Sequence, residues 1–299
     1  MDRSHDRARI GFLHPGAMGV SLAATARRGG HETLWASAGR SAATRARATE
    51  HGLVDVGTLE ALCARADVVV SICPPDAAED LAAAVAGTGF RGTFVDANAI
   101  APTRMARVAA DLSARGIEVV DGGVIGGPAW TPGTWLHLSG ARAAAVADLF
   151  SAGPLATHVV GPDVGTASAL KMVYAARTKG TTALLLAVLG AADRLGVREA
   201  LETQWEADAA GSAAEAHDRA RRATRKAWRF AGEMDEIATT FAAAGMPSGF
   251  HEAAADVYRA LAGLKDAEPL PELDDVLAAL AVPGDDRRRR PGRHRPPSR

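Results

Sequence analysis

Ile10-Gly11-Phe12-Leu13-His14-Pro15-Gly16-Ala17-Met18-Gly19 links a short apolar run to a stretch of helical spacing. Residues 9–13 read as a strand, and residues 18–28 as a helix that ends at Gly29-Gly30. Strand, tight glycine turn and helix in this order begin a βαβ unit. In the pattern Gly-x-Gly-x-x-Gly the first glycine makes the turn and the second lets the backbone approach a pyrophosphate. The third lets the helix pack on the strand. Gly16 and Gly19 fill the second and third places, and His14 stands in the first. The helix start then offers unpaired N–H groups to an anion. His14, Pro15, Gly16, Ala17, Met18 and Gly19 are therefore candidates for holding a dinucleotide. The bland alternative is a tight strand–helix turn in an α/β protein with some other ligand. His14 either bonds phosphate or ribose, or only tolerates the turn.

Outward from this loop the pattern repeats. Residues 32–36 read as a second strand, followed by an Ala/Arg-rich helix over 41–50. Residues 67–73 form a buried strand broken by Pro74-Pro75, with a helix beginning at Asp76. Residues 93–96 and 117–120 are further strands around a helix at 102–115, and 134–139 and 158–160 extend the sheet around a helix at 141–150. Strands alternating with helices predict an α/β domain with a parallel sheet, a Rossmann domain spanning residues 1–162. Beyond Pro162 the chain is alanine-rich and reads almost wholly as helix, with one long helix from Thr166 to about Leu195. An all-α second domain over 163–282 is expected, packed against a second subunit. Residues 283–299 are dominated by Arg, Pro and Gly and predict a disordered tail.

The second strand should end at an adenosine ribose. An acid there holds a 2′-hydroxyl, whereas hydroxyls and a guanidinium suit a 2′-phosphate. Leu34-Trp35-Ala36-Ser37-Ala38-Gly39-Arg40-Ser41 contains no carboxylate, so Ser37, Arg40 and Ser41 favour NADP over NAD. Ser41 also suits a helix cap. Cys73, Pro74 and Asn98 lie at predicted strand ends, where open α/β sheets bind ligands. Asn98 serves alternatively as a turn residue, and Cys73 as a packing residue.

The composition narrows the classes. Seven of the 34 basic residues lie in the last thirteen positions, so the rest of the chain has eight more acidic than basic groups. An acidic body argues against a nucleic-acid surface. Two cysteines make no disulfide framework, no cluster has metal-ligand spacing, and no run is apolar for the roughly 20 residues of a membrane span. A cytoplasmic protein with a small-molecule substrate and no nucleic-acid or membrane partner is expected.

The glycine loop, Val95-Asp96-Ala97-Asn98, Asp121-Gly122-Gly123-Val124-Ile125-Gly126-Gly127 and Gly165 to Lys171, in this order, resemble the β-hydroxyacid dehydrogenases. That superfamily includes 3-hydroxyisobutyrate dehydrogenase and 6-phosphogluconate dehydrogenase. The resemblance covers residues 8–262 and is nearest to a branch with a phosphogluconate-dehydrogenase-like C-terminal domain. It implies a helical domain built on a long interdomain helix, an active site in the cleft between domains, and a homodimer. It also makes Lys171 the general acid/base of hydride transfer. The chemistry is sensible, since a desolvated lysine can take or give the proton of a reacting oxygen. Leu170, Met172 and Val173 would surround it; the bland reading is a lysine on an exposed helix face.

The sequence also departs from the family pattern. The asparagine expected after the lysine is replaced by Tyr174 and Ala175, and the serine of the substrate loop by Ile125, beside Gly123 and Gly126. A second family lysine aligns with Gly232, leaving Glu233 as the matching acid ahead of Gly245-Met246-Pro247. Tyr174, Lys179 and His251 are candidates to replace what is missing; packing explains Tyr174 and His251 equally well. The expected function is hydride transfer between NADP(H) and a small carbonyl or hydroxy compound. Reduction of an imine, or dinucleotide binding without catalysis, are the rival readings.

Overall fold

The computed structural model describes residues 7–265 and 267–280, so the tail expected at 283–299 lies outside the described residues. Eight strands form one sheet in the order β3-β2-β1-β4-β5-β6-β7-β8. They are β1 (Arg9–Phe12), β2 (Glu32–Trp35), β3 (Val54–Asp55), β4 (Val68–Ser71), β5 (Thr93–Asp96), β6 (Glu118–Ile125), β7 (Thr134–Ser139) and β8 (Leu155–Gly161). Every pairing is parallel except β6 with β7. The crossover helices are α1 (Ala17–Arg28), α2 (Ala42–Glu50), α3 (Leu59–Arg65), α4 (Ala78–Gly87), α5 (Pro102–Ser113) and α6 (Ala143–Leu149).

The strands alternate their side chains between two hydrophobic cores. Ile10, Phe12, Val70 and Val95 join Val20 and Ala23 of α1 on one side, while Val69, Phe94 and Val119 join Val85, Met105 and Leu112 on the other. Burial on both faces explains why β4 and β5 read as continuous apolar runs. The remaining helices are α7 (Thr166–Arg194), α8 (Arg198–Asp208), α9 (Ser212–Ala243), α10 (Gly249–Ala260) and α11 (Leu273–Ala279).

The chain makes two compact units, Met1–Gly180 with Gly232–Glu252, and Thr181–Ala231 with Ala253–Arg299. Residue 180 lies inside α7, so the sheet-bearing unit takes in the first half of that helix together with part of α9. No described helix is long and apolar enough to cross a membrane.

Three elements differ from the sequence reading. β3 and α3 escape it, because two exposed residues and a seven-residue helix carry too little periodicity. β6 runs five residues beyond the expected end at Val120, through Asp121-Gly122-Gly123-Val124-Ile125. Its glycines read as a loop, but antiparallel pairing with β7 sustains the strand as far as Ile125 opposite Trp135.

Candidate dinucleotide cradle and active site

All the candidate residues of the sequence lie in the first unit, and most of them gather at two places. The first is the glycine loop. α1 starts at the N-cap Gly16 with no side-chain cap, and a Cβ on Gly16 would meet nothing within 4 Å. No side chain satisfies its leading N–H groups. At Gly19 a Cβ would lie 2.3 Å from the His14 carbonyl oxygen, so glycine is required for the helix to leave the strand here. Pro15 is buried and Met18 packs against the core, while Ala17 is exposed.

His14 and Arg40 meet across the ends of β1 and β2. The Arg40 guanidinium donates to His14 Nε2 at 2.5 Å. Burial first, and then the charge of Arg40, pull His14 down to about 4, so the ring is neutral and its proton sits on Nδ1. That Nδ1 and the Arg40 Nε are both buried without a protein partner among the described residues. Ser37 is buried and bonds the Asp55 carboxylate; slight burial pushes that group up, but the Gly57 N–H and Ser37 hold it below its usual value. Ser41 caps α2, accepting from the Thr44 N–H at 3.3 Å.

Asn98 has its side chain engaged within the protein. Its Oδ1 accepts from the Cys73 N–H at 2.6 Å, and its Nδ2 donates to Ser71 Oγ and to Asp96, tying the ends of β4 and β5 together. Burial raises the Asp96 carboxyl to about 7 against the pull of the Asn98 bonds. Burial, reinforced by Asp96, raises the Cys73 thiol to about 12, which suits packing beside Pro74 and not nucleophilic chemistry.

The second place is the start of α7. The fully buried Asp121 carboxylate accepts from the N–H groups of Gly165 and Ser168, both at 2.9 Å, and from the hydroxyls of Ser168 at 2.6 Å and Ser139 at 3.0 Å. A carboxylate from the sheet thereby caps a helix from outside it, where the helix dipole favours negative charge. Gly123 lets the helix lie close, since a Cβ there would be 2.8 Å from the Ala167 carbonyl oxygen and 3.1 Å from Lys171 Cβ. One turn along, Lys171 Nζ donates to the Val124 carbonyl at 2.6 Å, next to Ile125 at the end of β6. Gly126, at φ +125°, turns the chain toward β7 where a side chain would strike Thr134.

The expected apolar wrapping of Lys171 is corrected. Met172 is buried, but Leu170 and Val173 are 38% and 57% exposed, because they fall on the opposite side of the helix. Tyr174 is also exposed. His137 stands beside Lys171 instead. It pairs across the strands with Gly123, and its ring lies 5.5 Å from that of His158. Burial, then His158, then Lys171 lower its pKa. Since the lysine charge opposes protonation, Lys171→Met should move the His137 titration to higher pH. Histidine NMR across pH 4–8 reads this directly, and an unmoved midpoint would separate the two side chains.

Glu233 and His251 take structural partners. Glu233 is buried in an ion pair with Lys179, so two of the candidates pair with each other. His251 is buried with its ring edge-on to Phe241 at 4.2 Å and to Phe250 at 5.3 Å. Glu236 of α9 accepts from the Ala101 N–H at 2.7 Å and from Arg104, tying α9 to the start of α5.

His137 and Glu236 have no local signal in the sequence, since each acquires its neighbour from a distant strand or helix. Among the described residues no group of three or more His, Cys, Asp or Glu could hold a metal.

The open, uncapped start of α1 and the two buried nitrogens of His14 and Arg40 fit an anionic dinucleotide. Residues 9–150 match the family model of the NAD binding domain of 6-phosphogluconate dehydrogenase. The chain carries an NAD-binding domain of the 6-phosphogluconate dehydrogenase type. Residues 192–261 match a domain of unknown function, DUF1932. The 6-phosphogluconate dehydrogenase-type domain contains the cradle and Asp121, Glu233 and His251 fall in the second match, and Lys171 lies between the two.

A conserved hypothetical protein of Sinorhizobium meliloti is similar at 25% identity and a TM-score of 0.67, over 92% of this chain and 96% of its own. The 3-hydroxyisobutyrate dehydrogenase of Mycobacterium tuberculosis shares the fold at 19% identity and 0.64, over 92% and 100%. So does a reductive aminase of Aspergillus terreus, in complex with NADPH and ethyl levulinate, at 17% and 0.54, over 92% and 100%. No curated protein matches the chain. The 6-phosphogluconate dehydrogenase-type domain thus sits in a dehydrogenase-like fold.

Proposed function

We propose that the chain is an NADP-dependent oxidoreductase acting on a small carbonyl or hydroxy compound, with Lys171 as general acid/base. The observation that carries this is the amine of Lys171, held on the Val124 carbonyl at the end of β6, in the same compact unit as the cradle. A nicotinamide dinucleotide supplies the hydride acceptor or donor when bound. The start of α1 around Gly16 holds its pyrophosphate, and Arg40 with Ser41 engages a 2′-phosphate, Ser37 being engaged by Asp55. When an alcohol is oxidised, its carbon loses hydride and its hydroxyl loses a proton; the Lys171 amine takes that proton. In reduction the ammonium returns it to the carbonyl oxygen. The exposed Tyr174 hydroxyl, three residues further on the same helix, is a second donor toward the reacting atom.

Titration with NADPH and NADH, followed by nicotinamide fluorescence, tests the cofactor; a panel of 3-hydroxyacids, aldehydes and cyclic imines then tests turnover. Tighter binding of NADPH is expected, and failure to bind either dinucleotide would sink the proposal. Arg40→Gln should weaken NADPH by roughly 10- to 100-fold, the worth of a charge-assisted phosphate contact, and leave NADH within about threefold. Equal losses for the two would take Arg40 away from the 2′-phosphate.

A further inference from the structure

The first place of the glycine pattern holds a histidine, and its backbone does not explain why. Among the described residues every positive φ belongs to a glycine, so His14 turns the chain in an ordinary conformation. A glycine is not needed there, and the side chain is free to do something else. It reaches Arg40, 26 residues away, and gives it an acceptor at 2.5 Å. Arg40 is partly buried, and burial lowers its pKa. No salt bridge to a carboxylate is present for it among the described residues. A half-buried guanidinium held by a neutral ring is a cation kept in place without being neutralised. An acid at position 14 would hold it as well but would cancel the charge. Both nitrogens left unpaired in this pair, His14 Nδ1 and Arg40 Nε, are N–H donors, the hydrogen-bonding sense an anion needs.

We propose that His14 is a specificity-determining positioning residue, which holds Arg40 in place for the 2′-phosphate of NADP without neutralising it. This rests on the cofactor reading above and deepens it. His14 acts through Arg40, so it should set the ratio of NADPH to NADH affinity and not dinucleotide affinity as such. It also confines the NADP signature to a pair of residues on two different strand ends, where neither alone suffices.

The experiment measures NADPH and NADH dissociation constants by fluorescence for four chains: the native chain, His14→Leu, His14→Gln, and His14→Leu combined with Arg40→Gln. Leucine keeps the bulk and removes the acceptor, whereas the glutamine Oε1 can still accept from a guanidinium. His14→Leu should weaken NADPH by roughly 5- to 30-fold with NADH nearly unchanged, less than the loss of Arg40 itself, because the guanidinium remains but is no longer held. His14→Gln should recover most of that loss. In the Arg40→Gln background, leucine at position 14 should change nothing further, since the two act as one unit. Parallel losses for both dinucleotides would mean that His14 only shapes the loop, and an unchanged NADPH affinity would end the proposal. Either result with NADPH still bound overturns the role of His14 alone. No binding of NADPH or NADH by the native chain would overturn the cofactor reading, and this inference with it.

Discussion

Asp121→Ala should lower the stability of the sheet-bearing unit by about 3–5 kcal/mol, the largest loss expected from any single substitution here. Each buried donor left without an acceptor costs about 1–3 kcal/mol. Alanine would orphan two backbone N–H groups, at Gly165 and Ser168, together with the hydroxyls of Ser168 and Ser139. It would also remove the negative charge from the positive end of a 29-residue helix. At about 2–4 °C per kcal/mol for domains of this size, the melting transition should fall by roughly 10 °C. Thermal unfolding followed by circular dichroism measures it. Asp121→Asn, which keeps one acceptor oxygen, should lose less. A shift of under 2 °C for the alanine variant would show that water or neighbouring groups replace the carboxylate, and that the knot at the start of α7 matters little.

Lys171→Ala should reduce kcat by about 10²–10⁴-fold on whichever compound of the panel is turned over, with NADPH affinity nearly unchanged. The two readouts separate because the lysine lies at the end of β6, whereas the dinucleotide cradle is built at the ends of β1 and β2. Position 171 tolerates the truncation, since the Lys171 side chain is only partly buried and donates to a carbonyl that water can serve. A rate close to native would remove this residue from the chemistry. A collapse of cofactor affinity would instead make it part of the cradle.

Much of this architecture is legible before any coordinates. The strand–glycine–helix order at residues 9–28, the buried valines of β4 and the change to helical spacing after Pro162 specify the fold class through local periodicity alone. The glycines at 16 and 19 state their roles equally early, because each role follows from the absence of a side chain at one backbone position. Lys171 is also legible, though only through its resemblance to a family pattern. What its neighbours do is not. Leu170 and Val173 look like its apolar wrapping, yet they point to solvent, while a histidine 34 residues earlier stands next to it.

Asn98 and Glu233 illustrate the same limit from the other side. Each looks like a ligand-binding side chain at a strand or helix position of the right kind. In the fold Asn98 has its amide bonded to three protein groups, and Glu233 forms a buried ion pair with Lys179. Apart from Asp96, two residues before Asn98, those partners arrive from positions 25 to 54 residues away, and nothing nearby in the chain announces them.

The linear chain thus determined the order of strands and helices and the place of the anion-binding turn. Both depend on preferences that act within a few residues, namely side-chain periodicity and glycine's small size. Tertiary structure decided which charges and donors face each other: Asp121 under α7, Arg40 on His14, His137 beside Lys171. Those pairings bring together strand and helix positions that lie far apart in the chain. Their energies depend on burial and distance in space, which no window of sequence contains.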